Sequence, residues 1–174
     1  CQYRSLLIGD NSLINIAPWN KLFRKRIFNS HIFNIPCNIV VGEDMLMNIR
    51  LAFSCQKDFV TIIKKPHIYN YRLNDGSITK SFNSTPEYEN IFQKCLIDSI
   101  PIYEKDKYFK YTIKNRLANF HRFWGYKYCV KGMKDSMFYK ELKNDIEEYE
   151  YRLPVLDRIL LYNDNAFVRY IAIK

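Results

Sequence analysis

Apolar residues at helical spacing dominate the chain from residue 84 to its C-terminus. They recur there at intervals of three and four, the spacing that aligns side chains along one face of a helix. The longest such pattern predicts a helix from about Tyr108 to Val130, whose apolar face contains Ile113, Leu117, Phe120 and Trp124. This half of the sequence is therefore expected to fold as packed helices.

Helix start and stop signals divide this half further. Ser84 and Glu87 form a capping-box pattern with a proline in the first turn, and the helix that they start is expected to end before Pro101. Two more helical stretches are predicted, one at residues 135–149 and one that begins at Pro154. No low-complexity linker interrupts them, which favours a folded helical subdomain.

The first half of the chain mixes helix and strand signals. Spacings of three and four predict a helix from Asp44 to about Gln56, with apolar residues Leu46, Ile49 and Phe53. Segments 59–63 and 67–73 are β-branched and aromatic and predict strands, and residues 33–42 are expected to be extended. Residues 17–28 predict a strand or turn followed by a short helix, with an apolar side formed by Trp19, Leu22, Phe23 and Ile27.

Together these patterns predict a mixed α/β fold that is mostly helical. Residues 1–83 form its α/β part, and residues 84–174 form a helical C-terminal extension. Hydrophobic residues make up 48% of the 174-residue chain, which is enough for a core and too many for a disordered chain. Only 5 residues are glycine, and no glycine-rich phosphate-binding loop occurs.

The charge of the chain is basic and uneven. The formal net charge is +9, and residues 103–134 hold nine Lys or Arg against two acidic residues. Basic charge attracts phosphates, nucleic acid and anionic lipid surfaces alike, so it does not select a partner. A basic aromatic helix suits single-stranded nucleic acid, but such a helix more often buries its aromatic stripe and exposes its lysines. An anionic membrane surface is the intermediate interpretation.

Cysteine and histidine spacing indicates neither a disulfide framework nor a metal site. The cysteines are odd in number and contain no C-x-x-C pair, which predicts reduced thiols in a cytosolic protein. They are Cys1, Cys37, Cys55, Cys95 and Cys129, and the histidines are His31, His67 and His121. No apolar stretch reaches about 18 residues, so no membrane span is predicted. Because the chain begins with Cys1 rather than Met, its N-terminus is expected to lie elsewhere.

An adjacent acidic pair, Glu43 and Asp44, begins the predicted helix of the first half. Acids at a helix N-terminus complement the dipole and satisfy free N–H groups, and composition alone favours this capping role. A carboxylate at that position, after an extended segment, is also well placed to take a proton from a hydroxyl group. Both interpretations remain open from the residues themselves.

Three segments occur in order between residues 15 and 82. They are Trp19-Asn-Lys21-Leu22-Phe23-Arg24, Gly42-Glu43-Asp44-Met45-Leu46-Met47, and Pro66-His-Ile-Tyr69-Asn-Tyr71-Arg72 followed by Asp75-Gly-Ser77-Ile78. Together they resemble the acceptor-side half of a family 2 glycosyltransferase of the GT-A fold. The resemblance implies a partial GT-A-like sheet region followed by the helical extension. It also implies that the nucleotide-binding half of the enzyme precedes this chain.

The resemblance implies roles for particular residues. Asp44 is then the catalytic base toward the acceptor, and Glu43 shapes the acceptor site. A loop over the donor diphosphate would carry Arg72, Ser77 and Lys80, while Trp19 and Lys21 would pack the base of the acceptor cleft. The intact enzyme would transfer a sugar, with inversion, from a nucleotide-sugar to an acceptor hydroxyl in polysaccharide or glycoconjugate synthesis.

Cofactor, partners and location also follow from the resemblance. Mg or Mn is expected in the intact enzyme, on ligands of the upstream half, so the fragment alone is expected to be inactive. The expected partners are a nucleotide-sugar and a glycan or lipid-linked acceptor, at the inner face of a membrane in the cytoplasm, with no nucleic acid. Self-association is expected from an exposed sheet edge and exposed apolar surface. The alternative is a non-catalytic basic helical module that binds nucleic acid or a partner protein.

Overall fold

The part of the chain that the structure describes is helical. The computed structural model describes residues 22–55, 76–123, 135–163 and 165–173, and no residue in those ranges lies in a β-strand. We number its α-helices in chain order: α1 Ser30–Phe33, α2 Glu43–Ser54, α3 Ile78–Ser81, α4 Pro86–Asp98, α5 Lys105–Phe123, α6 Met137–Glu148, α7 Val155–Tyr162 and α8 Ala166–Ile173. The expectation of a mostly helical chain is confirmed.

The predicted strands fall into two groups. Segments 59–63 and 67–73 lie outside the described residues. Residues 33–42 were expected to be extended, but Phe33 ends α1, and Cys37 and Asn38 form a turn in which the Ile39 N–H donates to the Pro36 carbonyl oxygen at 2.9 Å. The reason is local, because Pro36 has no N–H for a strand ladder and Asn38 is a residue type that favours turns.

The short elements near the start of the described chain differ from the prediction. Leu22 is 95% exposed, so its expected place on an apolar side is wrong. Helix formation between residues 22 and 28 is limited to a 3₁₀ turn at Lys25–Ile27. Helix α1, which the apolar pattern did not predict, begins where the Asn29 side chain accepts a hydrogen bond from the Ile32 N–H at 3.3 Å.

The described residues divide into two compact units. The first unit comprises residues 22–55, 76–83 and 94–108, and the second comprises residues 84–93, 109–123, 135–163 and 165–173. Helices α4 and α5 therefore each contribute residues to both units. The division into domains 1–83 and 84–174 stays a prediction, because a compact unit is not by itself an independently folding domain.

Within the first unit, α2 is the central buried element. It packs against α1, and its residues Leu46 and Ile49 are fully buried, as their spacing predicted. Phe53 meets Tyr108 edge to face, with ring centroids 5.5 Å apart, an arrangement that aromatic pairs prefer. The buried face fixes which residues of α2 point toward solvent.

The second unit has its own apolar core. The predicted face of α5 is buried at Ile113, Leu117 and Phe120, whereas Trp124 lies outside the described residues. Helix α6 begins where the Ser136 hydroxyl accepts a hydrogen bond from the Tyr139 N–H at 3.3 Å. The other buried core residues are Phe109, Phe138, Tyr139, Leu142, Ile146, Leu153, Leu160 and Leu161.

Candidate functional site

The acidic pair Glu43–Asp44 begins α2 directly after a glycine in the left-handed region. Gly42 has φ 93° and ψ 2°, a conformation that glycine adopts without the penalty of a Cβ atom. The first two residues of the helix are therefore the two acids. Glu43 is exposed and Asp44 is partly exposed, so solvent reaches both residues.

Neither acidic side chain is engaged by another side chain in the described part of the chain, where no ion pair and no side-chain hydrogen bond of Glu43 or Asp44 occurs. Their effect on α2 therefore acts through the helix dipole, with a magnitude of about 0.3–1 kcal/mol. A carboxylate that is reachable and not held by a cation can contact an incoming hydroxyl group and accept its proton.

The remaining predicted site residues are only partly described. Trp19, Lys21 and Arg72 lie outside the described residues. Ser77 directly precedes α3 and is partly exposed, and Lys80 belongs to that helix. Of the described site residues, the structure brings together Glu43 and Asp44, which are neighbours in the first turn of α2.

A cleft of about 400 Å³ lies in the first unit at the other end of α2. Its volume suits a small molecule. Since a helix rises by about 1.5 Å per residue, the cleft is separated from the acidic pair by most of the length of α2. The cleft is lined by His31, Arg50, Phe53, Ser54, Asp98, Ser99, Ile100, Pro101, Ile102 and Lys105.

Arg50 is the buried charged residue of this cleft, with 6% of its surface exposed. Its Nε donates to the Ser99 hydroxyl at 2.9 Å, and its Nη1 donates to the carbonyl oxygens of His31 and Asn34, each at 2.8 Å. The Ser99 hydroxyl in turn donates to the Cys95 carbonyl oxygen at 2.6 Å. All these acceptors are neutral oxygens, so they orient the guanidinium without neutralising its charge.

The charges near Arg50 only partly offset its burial. Burial lowers the pKa of the Arg50 guanidinium, while Cys95 and Asp98 act in the opposite direction. Burial likewise raises the pKa of the Cys95 thiol, and Arg50 lowers it. At the cleft, Lys105 Nζ lies 3.7 Å from Asp98 Oδ1, in an ion pair whose acidic partner is mostly exposed.

Sequence reasoning did not identify Arg50, although one signal was present. Arg50 follows Leu46 by four residues and Ile49 by one, so it belongs to the apolar side of the predicted helix. A charged residue on the buried side of a helix is unusual unless it has partners. The partners themselves come from distant segments and are not readable from helical spacing.

Two further polar clusters lie in the second unit. The buried Arg116 contacts Asp145 and Glu141 of α6. Burial raises the pKa of Asp145 to about 6 against the opposing effect of Arg116, with Glu141 raising it further. His121 contacts the largely buried Asp157 through Nε2 and Oδ1. These contacts join α5 to α6 and α7 and serve packing in the first instance.

The chain was compared with family models, curated proteins and solved structures, and none matches. Within the described residues no group of three His, Cys, Asp or Glu side chains could hold a metal ion. The same residues include no helix that is both long and apolar enough to cross a membrane. Cys37, Cys55 and Cys95 are not in disulfide bonds.

Proposed function

We propose that this chain is the acceptor-side portion of a family 2 glycosyltransferase, with a GT-A-like sheet region and a donor-binding half upstream. The observation that carries the proposal is the reachable Asp44 carboxylate in the first turn of α2, directly after the left-handed Gly42. The resemblance assigns the catalytic base to this residue. The order and spacing of the three motif segments support the same assignment.

In the proposed reaction, an Oδ atom of Asp44 accepts the proton of the acceptor hydroxyl. The hydroxyl oxygen then forms a bond to the anomeric carbon of the donor sugar, and the bond from that carbon to the diphosphate oxygen breaks. The nucleoside diphosphate leaves with the electron pair. Because attack comes from the face opposite the leaving group, the anomeric centre is inverted. Glu43, the exposed neighbour, is proposed to bind acceptor hydroxyls.

The donor side is proposed to lie mainly outside the described residues. Mg or Mn would supply positive charge to the leaving diphosphate, and its ligands are proposed for the upstream half. Arg72, Ser77 and Lys80 would contact the diphosphate, since cations and hydroxyl groups offset its charge. Trp19 and Lys21 would pack the base of the acceptor cleft.

The partners and location that we propose follow from the chemistry and the charge. The substrates are a nucleotide-sugar and a glycan or lipid-linked acceptor, and the reaction takes place in the cytoplasm. With a net charge of +9, the protein is proposed to lie against the anionic inner face of a membrane. It acts in the synthesis of a polysaccharide or glycoconjugate.

The reaction class is tested with the intact protein and a panel of nucleotide-sugars, in the presence of Mg or Mn. We expect release of a nucleoside diphosphate that depends on an acceptor, and a glycoside whose anomeric configuration is opposite to that of the donor. NMR of the product reports the configuration. A product with retained configuration, or no acceptor-dependent release with any donor, would contradict the proposal.

The second candidate function is a basic helical module that binds nucleic acid or a partner protein. It is favoured by the exposure of Lys107, Lys110 and Lys114 along α5. The aromatic residues Tyr108 and Phe109 on that helix are buried, which removes them as stacking platforms. A binding module would lose nucleic-acid affinity steeply with salt and would be indifferent to Asp44→Asn.

A further inference from the structure

We propose that the cleft of the first unit binds the phosphate group of a small phosphorylated molecule, and that Arg50, Lys105 and His31 donate hydrogen bonds to this phosphate. All three residues line the cleft. The proposal does not depend on glycosyl transfer, because the cleft and Asp44 lie at different ends of α2. None of the residues that line the cleft belongs to the three motif segments.

The Arg50 guanidinium is held in one orientation by its hydrogen bonds. Its Nε and Nη1 atoms are held by Ser99 and by the carbonyl oxygens of His31 and Asn34. Its Nη2 atom has no partner among the residues that the structure describes. The buried guanidinium is therefore fixed by three neutral contacts and keeps one nitrogen, with two N–H groups, for a ligand.

The positive charge of the Arg50 guanidinium is incompletely neutralised. A buried cation is stabilised by a charged partner, and the acceptors around Arg50 are neutral oxygens. Asp98, the acid that lines the cleft, acts on Arg50 through its charge but makes its ion pair with Lys105, at 3.7 Å. An anion in the cleft would supply the negative charge that Arg50 lacks, in a partly desolvated place where charge-assisted hydrogen bonds are strong.

The two partners of the Lys105–Asp98 ion pair differ in exposure. The Asp98 side chain is 73% exposed, whereas the Lys105 side chain is 30% exposed. Exposed ion pairs contribute little to stability, so Asp98 can turn to solvent while Lys105 Nζ stays at the cleft. Lys105 then contacts the incoming anion. Asp98 thus acts as a competitor that the ligand displaces.

The number of donors favours a phosphate group over a carboxylate. Arg50, Lys105 and His31 supply donors from three separate elements, and a phosphate has three terminal oxygens to accept from them. A carboxylate has two oxygens in one plane. The remaining wall is apolar and includes Phe53, Ile100 and Ile102, which suits the uncharged part of a small phosphorylated molecule.

The test is a titration of the intact protein with inorganic phosphate and with glycerol phosphate, at fixed pH and ionic strength. We expect both to bind, and Lys105→Gln to weaken binding about tenfold or more, because it removes a charge-assisted contact. Lys107→Gln is the matched control, since Lys107 is an exposed lysine of the same helix with its own ion pair to Glu104 at 3.6 Å. It should leave the affinity within about twofold.

Two further variants sharpen the result. Asp98→Asn removes the competing carboxylate and should strengthen phosphate binding. If phosphate bound only to a non-specific basic surface, this substitution would raise the affinity no more than the removal of any other acidic side chain. Arg50→Lys keeps the charge but loses the fork that reaches Ser99, His31 and Asn34, and it should weaken binding. Its fold is checked by circular dichroism, and the Lys105 and Asp98 variants decide the outcome if Arg50→Lys does not fold.

Two binding experiments distinguish a soluble phosphorylated ligand from a lipid headgroup. Binding to glycerol phosphate without binding to vesicles that contain phosphatidic acid indicates a soluble ligand. Binding to those vesicles, lost in Lys105→Gln and kept in Lys107→Gln, indicates a lipid headgroup. Equal affinity for acetate and phosphate, or equal effects of the two lysine variants, would overturn the proposal. Loss of sugar transfer with intact phosphate binding would affect the proposed function alone.

Discussion

At the scale of single residues, buried arginines organise both units of this protein. Arg116 lies in the second unit with acidic partners, Asp145 and Glu141, from α6. Arg50 lies in the first unit with neutral partners only among its hydrogen bonds. The two sites therefore respond differently to pH and to substitution.

The first prediction concerns Asp145 and pH. Burial raises the pKa of Asp145 from 3.8 to about 6, so the folded chain holds this proton more tightly than the unfolded chain. The stabilisation is fully present below pH of about 4 and is lost as the pH rises through about 6. A shift of this size corresponds to about 3 kcal/mol for a fully buried group, which partial exposure reduces to about 1–2 kcal/mol.

Urea denaturation between pH 4 and pH 7 measures this effect when the wild type is compared with Asp145→Asn. The free energy of unfolding of the wild type should decrease relative to the variant as the pH rises, because other titrating groups cancel in the difference. Parallel curves over this range would show that Asp145 titrates alike in the folded and unfolded chains.

The second prediction concerns the structural role of Arg50. Arg50→Leu leaves the Ser99 hydroxyl and the carbonyl oxygens of His31 and Asn34 without their donor. We expect the free energy of unfolding to fall by about 2–4 kcal/mol. Arg152→Leu, at an exposed position, should change it by less than about 0.5 kcal/mol. Equal effects of the two substitutions would contradict the network around Arg50.

At the scale of elements, helix starts are set by single side chains. The capping-box pattern predicted Ser84 as the first cap of α4, but the Thr85 hydroxyl is the acceptor for the Tyr88 N–H, at 3.2 Å. Ser84 instead donates to the Glu89 carboxylate at 2.7 Å. The shift by one residue arises because Pro86 occupies the first helical position, where its missing N–H is tolerated.

The third prediction follows from this cap. Thr85→Ala should lower the free energy of unfolding by about 1 kcal/mol, since the Tyr88 N–H loses its acceptor. Thr85→Ser keeps a hydroxyl group and should restore most of that loss. Thermal or urea denaturation of the two variants measures the difference, and equal stabilities would show that the hydroxyl does not cap α4.

The longer helices were readable from the sequence, and the short ones were not. Helix α2 was predicted because Leu46 and Ile49 repeat at helical spacing. Its predicted start was Asp44, and it begins at Glu43. Helices α1 and α3 contain four residues each, too few for a periodic pattern. Residues 33–42 were predicted to be extended because the β-branched residues among them outweighed Pro36 and Asn38, and the structure has a turn at Cys37 and Asn38.

The residues of the candidate site that are adjacent in sequence were predictable from the sequence, whereas those that come from distant segments were not. Glu43 and Asp44 are adjacent in sequence, and the glycine before them marks the helix start. The cleft at the other end of α2 joins His31, Arg50 and Lys105, which are far apart in sequence. Such distant residues meet through tertiary packing, which apolar periodicity alone does not specify.

At the scale of the whole molecule, the uneven charge of the sequence has a structural counterpart in the second unit. Residues 103–134 are basic and residues 135–150 are acidic. There the basic helix α5 and the acidic helix α6 meet through Arg116, Asp145 and Glu141. The net charge of +9 that remains is available for anionic partners.

The fourth prediction concerns self-association. Helices α7 and α8 of the second unit expose apolar side chains, including Val155, Phe167 and Ile171. Apolar groups that stay exposed in one copy favour burial against another. Light scattering should show a mass that rises with protein concentration, and Phe167→Asp should reduce that rise. A monomeric mass at all concentrations would count against self-association.

The role of Asp44 as catalytic base is decided by the transfer rate of Asp44→Asn in the intact protein. Asp106→Asn is the matched control, because Asp106 is an exposed acid that, like Asp44, lies in the first turn of a helix, here α5. We expect Asp44→Asn to lower kcat by a factor of about 10²–10⁴, while Asp106→Asn leaves kcat unchanged. A kcat for Asp44→Asn within a few-fold of the wild type would contradict this role.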